Sequence, residues 1–206
     1  MKAIRFVATV LFITVPVFSQ TTAKTTSQVL RLTTKIVDQK YCDGGYPDMA
    51  ILRMSLLLTY TNVSEQALIF YKGSDLMHYL LVSANEEDAM NERYETNIHV
   101  GWITSGLSLA EGAKPGKEFV ILAPHQSYET QAGSVSIPLD LNSTTQFLKP
   151  GHHVFQGVTE TWSGNQQQFD RLKKKWASVG LLWGRNVRSA AMPLTIDKNP
   201  KLMECK

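Results

Sequence analysis

Five histidines, His78, His99, His125, His152 and His153, are the side chains in this sequence best suited to chemistry. A neutral imidazole can ligate a metal or act as a general base, so metal binding and hydrolysis are the reactions they could offer. His152 and His153 lie in FLKPGHHVFQGVTETW, residues 147–162, directly behind a Pro-Gly pair. Lys149-Pro150-Gly151-His152 has the residues of a type II turn, with Pro second and Gly third, where φ must be positive. Successive strand side chains point to opposite faces, so two adjacent histidines within one strand cannot hold one metal. In Met77-His78-Tyr79 and Ile98-His99-Val100 each histidine alternates with its neighbours, which places both on the solvent side of amphipathic strands. No metal site and no cofactor is expected.

Carboxylates gather at Glu86, Glu87 and Asp88, and Asp43 and Asp48 flank the glycines Gly44 and Gly45. Calcium needs several oxygen ligands, and neither cluster has the alternating order of an EF-hand loop. The patterns HExxH, GxSxG, the P-loop and the dinucleotide glycine fingerprint are absent. A triad of distant Ser, His and Asp remains open, because such sites converge in space rather than in sequence. Trp102, Trp162, Trp176 and Trp183 could form a carbohydrate platform or a partner hot spot. Core packing is the simpler reading, with Trp176 and Trp183 expected to be partly exposed. Asn62-Val63-Ser64 and Asn142-Ser143-Thr144 fit the glycosylation sequon, a signal only in a glycosylating secretory pathway; both also read as turns.

Residues 1–20, MKAIRFVATVLFITVPVFSQ, place Lys2 and Arg5 before an apolar run from Phe6 to Phe18. This is the pattern of a secretory signal peptide, and cleavage is expected after Ser19, leaving 20–206 as one domain. The run is about 13 residues, short of the roughly 20 that span a bilayer, so no membrane span is expected. The sequence carries 21 Lys+Arg against 18 Asp+Glu. Losing Lys2 and Arg5 leaves 19 against 18, no basis for nucleic-acid binding. Lys173-Lys174-Lys175 reads as the solvated side of a helix. Cys42 and Cys205, in an oxidising compartment, favour one intramolecular disulfide, with an intermolecular link or two free thiols as alternatives.

Period-2 alternation supplies the elements. VLRLTTKIV is a first strand, YCDGGYPD a turn, and AILRMSLLLTYTN a second strand with Leu52, Met54, Leu56, Leu58 and Tyr60 on one face. ALIFYK follows as a buried strand, so residues 51–72 read as a hairpin or Greek-key corner. Further strands are LMHYLLVS, NIHVGWI, EFVILAP, SYETQ, SVSIPL, LLWGRNVRS and MPLTID; Pro138 argues for an edge position. ANEEDAMNER is a charged loop with at most one helical turn. One helix is expected, with Ser163 and Gln166 as its capping box and an end near Gly180. The fold class is mainly β: an antiparallel immunoglobulin-like β-sandwich with one short helix near the C-terminal strands.

LTYTNVSEQALIFYKG, FVILAPHQSY, FLKPGHHVFQGVTETW and VRSAAMPLTI together resemble bacterial extracytoplasmic immunoglobulin-like sandwiches over residues 50–196. The stretch is also similar, more faintly, to the proteinase-inhibitor sandwiches typified by the Bacillus intracellular inhibitor. The resemblance implies a fold and no site residue. The expectation is a secreted or periplasmic, non-enzymatic binding module whose partner is a protein or a cell-envelope component. A secreted hydrolase with a dispersed site and an extracellular protease inhibitor are the alternatives.

Overall fold

A computed structural model describes residues 29–71, 77–100, 114–117, 119–142, 147–162 and 165–205. The signal-peptide segment, Trp102, Ser143, Thr144 and Ser163 lie outside the described residues. The elements are β1 Leu30–Asp43, β2 Met49–Asn62, β3 Leu68–Tyr71, β4 Met77–Ser83, α1 Glu86–Met90, β5 Thr96–Val100 and β6 Phe119–Leu122. They continue with β7 Ser127–Asp140, β8 Gly151–Glu160, α2 Gln166–Lys175, β9 Leu181–Leu182, β10 Val187–Arg188 and β11 Met192–Ile196. The chain is mainly β, and its strands form three sheets: β1-β2-β7, β10-β8-β4-β5 with β11 also on β8, and β6-β3-β9. Pairing is antiparallel except between β3 and β9.

Alternation in β2 does what the sequence requires. Leu52, Met54, Leu56, Leu58 and Tyr60 are buried, while their neighbours are only half-buried. Each such side chain contributes about 1.5–3 kcal/mol when removed from water. They join Leu30 and Leu32 of β1, Leu80 and Val82 of β4 and Phe155 of β8 in one core. Pro138 sits on β7, an edge strand of its sheet, where a missing N–H breaks no ladder.

Several expectations need correction, each for a local reason. The first strand runs on to Asp43 because a bulge at Val37 resets the pairing with β2, so Tyr41 and Cys42 are strand residues and the turn is only 44–48. SYETQ and SVSIPL are one strand: Gly133 and Ser134 together oppose Ser55, a bulge that the glycine disguised as a break. Residues 51–72 do not form a hairpin, since β3 leaves for another sheet and pairs with β6 and β9. A second helix exists, α1, where the charged loop had allowed one turn; Asn85 caps it by accepting from Asp88 N at 2.9 Å. The α2 cap is Asn165 rather than Ser163, accepting from Gln168 N at 2.8 Å, and the helix stops at Lys175 with a turn carrying on to Gly180.

Helix α2 covers the β6-β3-β9 sheet. Leu172 and Trp176 pack on Ile69, Tyr71, Phe119 and Leu182, with Trp162 and Phe169 alongside. Trp176 is therefore buried, against the expected partial exposure, and meets the Phe119 ring edge-on at 4.7 Å. Trp183 is half-buried and donates Nε1–H to Arg185 O.

Cys42 and Cys205 are disulfide-bonded, with Cα atoms 5.4 Å apart across 163 residues of sequence. Around the bridge, Asp43 N donates to Met203 O and Met203 N to Tyr41 O, both at 3.0 Å. Asp197 N donates to Tyr41 Oη at 2.9 Å, so the tail is tied to β1 at three places.

Candidate functional site

Strand β8 carries the polar groups that lie deepest. On its inward face His153, Phe155, Gly157 and Thr159 succeed one another at every second position. Gly157 is required there: a Cβ would sit 2.4 Å from Thr34 Oγ1, so any side chain would push β1 away. Thr159 is 1% exposed, and its Oγ1 lies 2.7 Å from Tyr60 Oη of β2 and 3.0 Å from His78 Nδ1 of β4. Three strands from two sheets thus meet at one hydroxyl.

The electrostatics follow from burial. Desolvation lowers the His78 pKa to about 4, since burial penalises the cation. Tyr60 is held well above the usual phenol range, chiefly by desolvation, against which the Thr159 hydrogen bond works. Tyr79, on the opposite face of β4, is raised by desolvation and then by Glu160, to which its hydroxyl donates at 3.2 Å.

His78 with Thr159 has the composition of a base and a nucleophile. The space beside them, walled by Leu56, Leu58 and Val158, is only about 10 Å³, the volume of a single water probe. No third side chain orients the imidazole among the described residues. Thr159 is buried, and its hydroxyl links β8 to β2 and to β4.

The other histidines disperse. His78 is half-buried rather than solvent-facing as its alternation implied, and beyond it Leu80, Leu81, Val82 and Ser83 are buried on both faces of β4. His99 is exposed and packs edge-on against the Tyr79 ring, on the face of the sheet opposite His78, so these two do not meet. His125 has φ 62° and lies 3.3 Å from Glu65. His152 is exposed near Thr195, 3.3 Å away. His153 is buried, its Nδ1 2.6 Å from Glu95 Oε2 and its Nε2 2.9 Å from Lys149 O. Adjacent histidines on opposite faces was the expectation, and that is what β8 shows.

The acidic clusters serve local structure. Asp88 accepts from Arg93 Nε at 2.6 Å and from Asn85 Nδ2 at 2.8 Å, while Asp43 Oδ1 accepts from Gly45 N at 2.8 Å. Among the described residues no three His, Cys, Asp or Glu side chains gather as a metal site would need. Asn62 is fully buried: Nδ2 faces Gln66 O, Leu122 O and Ala123 O at 2.8–3.1 Å, and Oδ1 accepts from Ser64 N and Oγ. It clasps the β2–β3 corner to the end of β6. Asn142 is exposed.

A wider concavity lies elsewhere. Gln66, Ala67, Lys173, Val179, Leu181 and Leu182 line an open groove of about 440 Å³ where the turn after α2 enters β9. Gly180 makes that entry, since a Cβ there would lie 2.6 Å from Ala67 O. Tyr60, Thr159 and Glu95 were not anticipated as polar anchors; each sits in an ordinary strand pattern, and only the tertiary pairing brings them to a histidine.

No family model matches the chain, and no curated protein matches it. Among solved structures it is similar to one described as "X-ray structure of Northeast Structural Genomics Consortium target SoR45", at 12% identity and a TM-score of 0.30, over 87% of this chain and 93% of that one. A likeness of that degree carries no argument about fold or function.

Proposed function

We propose that this chain is a secreted or periplasmic, non-enzymatic binding module on an immunoglobulin-like β-sandwich, whose partner is a protein or a cell-envelope component. One observation carries the reading: the buried base–hydroxyl pair has about 10 Å³ beside it, whereas the larger concavity is an open groove of about 440 Å³. Ligand sites are usually concave and mostly apolar with a few polar groups; here Leu181, Leu182 and Val179 supply the apolar floor and Lys173 and Gln66 the polar rim. The disulfide supports a location outside the reducing cytoplasm. No helix among the described residues is long and apolar enough to cross a membrane. The immunoglobulin-like assignment is supported by antiparallel sheets sharing one core.

A panel of ester, peptide and glycoside substrates tests this directly: no turnover is expected, and turnover that Thr159→Val abolishes would replace it with the hydrolase reading. That second reading draws on the lowered His78 pKa and the 3.0 Å contact with Thr159. The inhibitor alternative has a protruding candidate in the β1–β2 turn, where Tyr46 is 74% exposed. Its carbonyl, however, accepts from Met49 N at 3.1 Å and is turned into the loop, away from any protease.

A further inference from the structure

The hydroxyl of Thr159 has one proton to give and stands between two partners, Tyr60 Oη at 2.7 Å and His78 Nδ1 at 3.0 Å. Tyr60 is fully buried on β2, and among the described residues Thr159 is the hydrogen-bond partner of its hydroxyl. All three groups are satisfied in one arrangement only: Tyr60 donates to Thr159, and Thr159 donates to the bare Nδ1 of a neutral imidazole. A proton on Nδ1 reverses the second bond. Thr159 then accepts from both His78 and Tyr60, and its own hydroxyl proton is the donor for which the chain holds no acceptor.

Among the described residues no charged side chain lines the space beside His78. That space is walled by Leu56 and Leu58 of β2, Tyr79 of β4, and Gly157, Val158 and Thr159 of β8. Tyr79 and His99 lie on the opposite face of the sheet, and Glu160, the carboxylate next in sequence to Thr159, accepts from Tyr79 there. Tyr128 of β7 lies beyond Tyr60, paired with it across the β2–β7 ladder.

We propose that the Tyr60–Thr159–His78 chain is an acid-sensitive latch between the β1-β2-β7 sheet and the β4–β8 pair, closed while His78 is neutral and opened when it is protonated. Burial already lowers the pKa of His78 to about 4, so the latch is shut at neutral pH and is stressed as a compartment acidifies. The same hydroxyl chain thereby acquires a role in controlling when the sheets separate.

The test is a pH series from 7 to 4 on the disulfide-intact protein. Side-chain NMR of His78 should show a neutral ring at pH 5.5, where an ordinary histidine, with a pKa of about 6.5, is mostly protonated. Amide protection factors in β4 and β8 should fall between pH 6 and 4. The denaturant midpoint of the wild type should fall over the same window, and His78→Gln should flatten that fall while His152→Gln keeps it. A His78 ring that titrates near 6.5, or a His78→Gln protein whose midpoint falls as steeply as the wild type's, overturns the proposal. Should His78→Gln not fold, the wild-type titration and protection factors decide it alone.

Discussion

The two ends of β8 are fastened differently. At the Gly151 end the strand pairs with β11, His153 bonds Glu95 and the Lys149 carbonyl, and the tail beyond β11 is bridged to β1 by Cys42–Cys205. At the Glu160 end the hold on the opposite sheet is a neutral hydrogen-bond chain through Thr159. One end is closed by a covalent bond and a histidine that has a carboxylate beside it, the other by a histidine that has none among the described residues. Burial is common to both histidines. What differs is the partner: a carboxylate and a main-chain carbonyl at His153, a hydroxyl at His78.

The comparison breaks most visibly if the covalent end is opened. Cys205→Ser should lower unfolding free energy by about 5 kcal/mol, the loop-closure term for 163 residues in the chain-entropy model, measured by denaturant titration. Acid should act on the other end. The folded His78 has a lowered pKa, so the unfolded chain takes up the proton first; stability is full above about pH 6.5 and is lost as pH falls toward about 4. That shift amounts to about 3 kcal/mol, read as the drop in unfolding free energy that His78→Gln removes. Thr159→Val keeps the shape but leaves Tyr60 Oη unpaired, for about 2 kcal/mol, and adding Tyr60→Phe should recover part of that because both partners are then apolar. His152→Ala, exposed on the outer face of β8, should change stability by less than about 0.5 kcal/mol and calibrates the rest.

Much of the architecture was legible where one face of a strand is wet. Leu52 to Tyr60 alternate cleanly because β2 keeps a half-buried outer face, and Pro138 declared its edge because an interior strand would have lost a ladder bond there. The pairing of Cys42 with Cys205 followed from an even count. The reasoning failed where period-2 logic loses its contrast. β4 is buried on both sides from Leu80 to Ser83 and half-buried at His78 and Tyr79, so the alternation around His78 carried no information about which face was wet. Bulges at Val37 and Gly133 shifted parity in β1 and β7, and composition alone reads such places as strand ends. Asn165 replaced Ser163 as a cap because both precede a Gln at the right spacing, a choice that packing of Phe169 and Leu172 settles. The Thr159 cluster was invisible for a plainer reason: its three members are 18 and 81 residues apart in sequence, and nothing about an isolated threonine in a strand announces a histidine across the sheet.

Asn62 bears on how this protein should be produced. Its Nδ2 is the atom to which an oligosaccharide would be attached, and in the fold both its hydrogens are directed at main-chain carbonyls in a space with no solvent. A host that modifies Asn-x-Ser on an emerging chain would place a sugar there before β2 and β6 have met. The carrier could not then close that corner, so material made in a yeast or animal secretory line should accumulate as misfolded, glycan-bearing chains. Bacterial export, or Ser64→Ala to remove the acceptor signal at the cost of the hydroxyl's contacts with Asn62 Oδ1 and the Gln66 main chain, avoids the problem.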